Sequence, residues 1–244
     1  NVPVYVGETG ESDNAIHWAT TQYFETHNIG WSFWPWKKMD SDNGPYSIRK
    51  PADWDAIIAY SHGREKPSRE VARRAFDELL RNIRIENCIY NAGVVNALFH
   101  RLPVRVEGEN FGHEGQDKSY SVKDTSRKST NYRRSEPVPI EVTEGESDTQ
   151  RGSQQSIRLT TDEWASYRVN SPIAKPCQVS IRAKATALPA KFRFSFNDRG
   201  QEFTLNDDTW IEVSGNSTEA VEGSNRMKLQ VTKGTILFDW IKIE

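Results

Sequence analysis

The sequence predicts a two-part protein: a parallel α/β segment over residues 1–102 followed by an antiparallel β-sandwich over residues 103–244. Three observations carry this. A strand-like run, a helical run and a second strand-like run open the chain, which is the unit of a parallel sheet with a right-handed crossover. Helical periodicity dominates up to Leu102. From Val104 the period switches to two-residue alternation, in short strands divided by Gly, Asn, Asp and Ser.

Val2, Val4, Tyr5 and Val6 form the first apolar run, closed by Gly7-Glu8, and suit a strand buried on both faces. Residues 12–27 read as a helix, with Ser12 or Asp13 as cap and Ile16, Ala19, Tyr23 and Phe24 at helical spacing. "GWSFWPWKK" follows as the second strand, crowded at its end by Trp34, Trp36, Lys37 and Lys38. Residues 51–60 suggest a short helix with Asp53 as cap. A longer helix starts at Ser68, its stripe made by Val71, Ala72, Ala75, Phe76, Leu79, Leu80 and Ile83. A last amphipathic piece covers residues 91–99. In "CQVSIRAKA", Cys177, Val179, Ile181, Ala183 and Ala185 alternate with polar residues, as a half-buried strand requires. Phe192, Phe194 and Phe196 repeat the pattern, as do Met227, Leu229 and Val231. Residues 119–134 read as loop.

Composition sets bounds. Of 244 residues 36% are apolar and 27% charged, as in a soluble globular protein. Lys and Arg total 32 against 34 acidic residues, so the net charge of -2 argues against nucleic-acid binding through bulk charge. No apolar stretch approaches the roughly 20 residues that span a bilayer. Cys88 and Cys177 fall in different parts of the chain and match no metal-site spacing. Eight tryptophans offer faces on which sugar rings can stack, beside their common use in cores.

In parallel barrels catalytic groups lie at the C-terminal ends of strands, which would put Glu8 and Trp34 on one rim. "PVYVGETGE" followed by "IGWSFWPWK" resembles the last two barrel strands of glycoside hydrolase family 5. The resemblance implies the C-terminal part of a (β/α)8 TIM barrel. Glu8 would be the nucleophile and Trp34 the floor of the adjacent sugar subsite, with Trp36 and Lys37 as further substrate contacts. The family takes its acid/base from an Asn-Glu pair, and no Asn-Glu dipeptide occurs here. A barrel takes about 250 residues, so the implied activity needs an N-terminal segment of the same enzyme as partner.

The stretch from Leu102 to Val142, with "DEWASYRV" and "FDWIKIE", resembles carbohydrate-binding module family 6, a β-sandwich of jelly-roll type. Glu107 and Glu109, two apart on one strand, offer hard oxygens on one side that suit Ca2+. The resemblance adds Asp239 as a third ligand of a structural calcium. The family's two gripping aromatic positions fall on Arg158 and Asp207, and its Asn on Leu237, so the edge cleft is expected not to bind glycan as in the family. Trp164, Trp210 and Trp240 match packing positions.

The expected function is a secreted or extracellular, retaining endo-acting hydrolase of a β-linked plant polysaccharide, first of all β-1,4-glucan. The alternatives are a non-catalytic glycan-binding protein, or a hydrolase of xylan, mannan or xyloglucan.

Overall fold

A computed structural model describes residues 2–129, 132–143, 155–197 and 199–244. The chain forms two compact units. One comprises Asn1–Tyr5, Asp13–Gly30 and Val95–Glu244, the other Val6–Ser12 and Trp31–Val94. The sequence boundary at Leu102 divides the chain differently, because the first helix groups with the sandwich.

Strand β1 (Tyr5–Thr9), helix α1 (Asn14–Thr26) and strand β2 (Gly30–Phe33) realise the expected strand-helix-strand order. Gly30 N–H donates to the Val4 carbonyl and Trp34 N–H to that of Thr9, so both strands advance together and the pair is parallel. These two strands form a sheet of their own, and a TIM barrel is not evident among the described residues. The expectation that β1 is buried on both faces is corrected as well: Val4 and Tyr5 are exposed, because β2 is the strand's one neighbour. Asp13 caps α1, its Oδ1 accepting from Ile16 N–H at 3.0 Å. On the other side of the helix Trp18 enters the sandwich core.

The smaller unit continues with β3 (Lys37–Met39), β4 (Tyr46–Ile48) and β5 (Ile89–Tyr90), which form a three-stranded sheet, and with α2 (Trp54–Ser61) and α3 (Arg69–Asn82). Helix α3 starts where Ser68 accepts from Val71 N–H. Asp53, read as the cap of α2, makes no capping bond and instead accepts from Arg74 at 3.0 Å. The apolar stripe of α3 is only partly covered: Ala75 is buried, while Phe76 and Leu80 are exposed.

Helix α4 (Ala92–Leu98) leads to the strands of the larger unit. These are β6 (Val104–Glu107), β7 (Tyr120–Ser121), β8 (Ile140–Val142), β9 (Gln155–Thr160), β10 (Trp164–Ser171), β11 (Lys175–Cys177), β12 (Val179–Phe196), β13 (Arg199–Leu205), β14 (Ile211–Ser214), β15 (Thr218–Ala220) and β16 (Gly223–Ile243). Every pairing within this unit's sheets is antiparallel. β12 and β16 run through both layers of the sandwich. Their register shifts between Ala185 and Phe192, and on either side of this irregularity the pair acquires different neighbours. Beyond Thr235, β16 meets β9 and β6, and the first half of β12 meets β14. Before Val231, β16 meets β10, and the second half of β12 meets β13. One apolar cluster fills the interior, built from the alternating residues that the sequence pointed to: Ile181, Phe192, Phe196, Met227 and Leu229 are all buried.

Candidate functional site

The parallel register of β1 and β2 brings Glu8 and Trp34 to the same ends of adjacent strands. Gly10 closes this edge at φ +145°, and a Cβ there would lie 2.3 Å from the Trp34 carbonyl oxygen. Only glycine allows the two chain ends to approach so closely. The Glu8 side chain is exposed and makes no ion pair or hydrogen bond among the described residues. Trp34 and Trp36 are 55% and 45% exposed, with the Phe33 ring edge-on to Trp36. Lys37 opens β3 and donates to the Ile83 carbonyl, so it holds the C-terminal end of α3. Glu11 is held by Lys38.

The carboxylates read as a calcium set are buried: Glu107 2%, Glu109 1% and Asp239 0% exposed. One element of the reading is corrected. β6 ends at Glu107, and Glu109 lies beyond it, because the Gly108 N–H turns aside to the Asp239 carbonyl and Asn110 N–H closes back on Glu107. Antiparallel pairing of Trp240 with Glu107 is what carries Asp239 to this place. Two guanidiniums accompany the acids: Arg105 lies 2.8 Å from Glu107, and Arg182 donates to Asp239 at 2.7 Å. Glu109 Oε2 has no hydrogen-bond partner among the described residues. Burial, with the charges of Glu107 and Asp239, pushes the Glu109 carboxyl well above its usual range.

Hard, buried carboxylate oxygens fit Ca2+ in chemistry. Their arrangement is less complete: among the described residues no three His, Cys, Asp or Glu side chains converge closely enough to hold a metal ion.

Beside Glu109 a cavity of about 680 Å³ opens between α1 and the sandwich, lined by Ala19, Tyr23, His113, Tyr132 and Glu136 among others. Its helix wall is mainly apolar and its sandwich wall polar. His113 is driven down to about 3 by burial and by the Arg133 and His27 charges. Arg133 ties this wall together. It donates to the carbonyl of Gly112 at 2.7 Å and to Glu136, and it stacks 3.6 Å from the Phe111 ring centre. The Arg133–Glu136 spacing is visible in the sequence, but the bonds of Arg133 to the Phe111 and Gly112 carbonyls are not. Arg105, two residues before Glu107 on the same strand, could have been found from spacing alone.

At the edge cleft the structure has an ion pair where a gripping aromatic would stand. Arg158 meets Glu141 at 2.7 Å and pairs across the strands with Leu237. Asp207 accepts from Thr209 N–H within its own turn. Of the tryptophans expected to pack, Trp240 is buried. Trp164 and Trp210 are half-buried, with Lys228 and Arg182 over their rings. Cys88 and Cys177 are both free thiols. No helix among the described residues is long and apolar enough to cross a membrane.

No family model matches the chain, and no curated protein matches it. Among solved structures, a ruminal GH26 endo-β-1,4-mannanase is 18% identical with TM-score 0.40, covering 60% of this chain and 26% of its own. The chain thus spans about a quarter of that enzyme. The C-terminal CBM6 of a laminarinase from Zobellia galactanivorans is 16% identical with TM-score 0.39, covering 57% of this chain and 96% of its own. A carbohydrate-binding module CBM36, in complex with calcium and xylotriose, is 14% identical with TM-score 0.38 over 57% of this chain and 98% of its own. These likenesses are distant and assign the chain to no family.

Proposed function

We propose that the chain binds polysaccharide outside the cell. In an intact enzyme its first part would supply one of the two carboxylates of a retaining, endo-acting glycoside hydrolase. The observation that carries the reading is the exposure of the Trp34 and Trp36 indoles at the strand ends that also hold Glu8. Apolar rings exposed side by side mark interaction sites, and an indole face is well suited to the C–H face of a pyranose. Glycan binding is the part of this reading that the chain can perform with its own residues.

Catalysis needs a second carboxyl group about 5 to 5.5 Å from the first. None is paired with Glu8 among the described residues; in this reading the acid/base would come from an N-terminal segment of the same enzyme. There the Glu8 carboxylate would attack the anomeric carbon while the partner acid protonates the departing glycosidic oxygen. The same partner would then deprotonate a water that hydrolyses the glycosyl ester and frees Glu8. β-1,4-Glucan is the first substrate of this reading, with xylan, mannan and xyloglucan as alternatives, since subsite loops set the choice. Glu107, Glu109 and Asp239 are proposed to hold a structural Ca2+ that would offset their mutual repulsion.

Affinity electrophoresis of this chain in gels of hydroxyethylcellulose, xylan or galactomannan tests binding. Retardation by at least one, reduced about tenfold in Trp34→Ala, is expected for a stacked ring. Equal mobility of the two proteins in all three gels would remove Trp34 from the site. For catalysis, Glu8→Gln in the full-length parent should abolish hydrolysis, and unchanged turnover would show that Glu8 is not the nucleophile.

A further inference from the structure

The outer face of the sheet half formed by β7, β10, β16, β12 and β13 carries a cluster of cations that the reading above does not use. Alternation fixes which residues lie there. Ala165, Tyr167, Met227, Leu229, Phe192, Phe194 and Phe203 are buried on the inner side. The intervening residues therefore point outward. Register sets them in rows: Trp164 opposite Gln230 opposite Arg193 opposite Glu202, then Ser166 opposite Lys228 opposite Ser195, then Arg168 opposite Arg226.

Arg193, Arg226 and Lys228 have no carboxylate partner among the described residues, whereas Arg168 at the border is paired with Glu114 at 3.3 Å. Glu202, though directly across from Arg193, makes its contact with Thr232. The Arg193 guanidinium lies over Gly200, where a Cβ would come within 2.3 Å of its Nε. Lys228 Nζ sits 4.4 Å and the Arg226 guanidinium 5.9 Å from the centre of the Trp164 ring. Burial and the neighbouring Arg226 pull the Lys228 ammonium below its ordinary value. Two like charges share one ring, and the one acid in these rows, Glu202, makes its hydrogen bond with Thr232.

On one strand, residues two apart stand roughly 6.7 Å from each other, and a diagonal neighbour on the next strand stands roughly 7 to 8 Å away. Arg226, Lys228 and Arg193 thus mark out a shallow track of positive charge with one flat ring beside it. An extended polymer with regularly spaced anionic groups matches such a track, the guanidiniums meeting oxyanions in forked hydrogen bonds. Single-stranded nucleic acid fits less well. It needs several aromatic platforms for successive bases, and Trp164 is the one aromatic in these rows; the net charge of -2 adds no long-range attraction.

We propose that this sheet face binds acidic polysaccharide, with Arg193, Arg226 and Lys228 taking the anionic groups and Trp164 the face of one sugar ring. The site lies on different residues from Trp34 and Trp36 and stands or falls independently of them.

The test is affinity electrophoresis of the full chain in polygalacturonate, which carries carboxylates, and in a sulfated galactan, which carries sulfates; hydroxyethylcellulose and single-stranded DNA are the comparisons. Retardation by at least one acidic glycan is expected, and which of the two is stronger identifies the anionic group. The double variant Arg193→Gln/Lys228→Gln should lose affinity about tenfold, and so should the wild type on raising salt several-fold, as screening dictates. Arg193→Lys/Lys228→Arg should retain binding. A control, Arg64→Gln/Lys66→Gln, removes the same charge from an exposed loop and should bind as wild type. Circular dichroism confirms that each variant is folded. The proposal is overturned if neither acidic glycan retards the chain, if the control loses as much as the double variant, or if DNA binds more tightly than both glycans. Trp34→Ala should leave this retardation intact, so failure of the neutral-glycan reading and failure of this one give different gels.

Discussion

Two buried ionisable side chains of the larger unit pull stability in opposite directions with pH. His113 is held at about 3 in the folded chain, far below the usual 6.5 of the unfolded one. Between these values the unfolded state binds a proton that the folded state does not, so this contribution is present above pH 6.5 and is lost as pH falls toward 3. Glu109 acts the other way: with its folded value raised, stability declines as pH climbs past the ordinary carboxylate range near 4.5. His113→Gln should therefore flatten the acid side of the stability curve measured by urea unfolding, and an unchanged slope between pH 6.5 and 4 would contradict the placement of this ring. Glu109→Gln should raise the melting temperature of calcium-free protein at neutral pH. If Ca2+ binds the three acids, its addition should raise the wild-type melting temperature and leave the variant less affected. The Glu-x-Glu spacing was legible in the sequence. What spacing could not show is that Gly108 bends the chain between the two acids. A Cβ at Gly108 would meet the Phe238 carbonyl oxygen at 2.4 Å, so Gly108→Ala should cost on the order of 2–3 kcal/mol.

Capping at the scale of elements separates what sequence shows from what only packing decides. Polar residues stood at three plausible helix starts, Ser12 or Asp13, Asp53 and Ser68, and two of the starts are capped by one of them. Asp13 accepts from Ile16 N–H and Ser68 from Val71 N–H, whereas Asp53 turns to Arg74. Asp13→Ala should thus cost about 1 kcal/mol, while Asp53→Ala removes only an exposed ion pair and should cost less than about half of that. Equal losses in denaturant titrations would refute the distinction. The strands show the same limit. Alternation at Ile181, Phe194 and Leu229 was readable, since one buried face imposes a period of two. That β12 and β16 each run through both layers was not readable. The irregularity lies between Ala185 and Phe192, around Pro189, which has no N–H to give the ladder; the proline marks a break in the sequence but not which neighbours each half takes. The outward cations likewise appear in the sequence as ordinary polar alternates, and only the register of β12 against β16 gathers Arg193 with Arg226 and Lys228.

The two units differ in how much apolar surface they bury, and this difference should govern how the molecule opens. The larger has one continuous cluster with Phe192, Leu229, Ile241 and Tyr167 at no more than 5% exposure, threaded by the long β12–β16 pair. The smaller leaves Ile58, Tyr60, Phe76 and Leu80 each more than 40% exposed, and its two longer helices meet where Trp54 stands edge-on to Phe76. A helix pair whose apolar residues face water gains little from burial to offset the entropy of ordering it, so its amides should exchange through local opening well below the global free energy. Native-state hydrogen exchange should find the slowest amides in β12 and β16 and much faster ones in α2 and α3. Covering Phe76 and Leu80 should narrow the gap, so if the proposed partner segment packs there, adding it in trans should slow exchange in α3 while leaving β16 unchanged. Protection of α3 equal to that of β16 in the isolated chain would show that the smaller unit is already complete, and the requirement for a partner segment would fall with it.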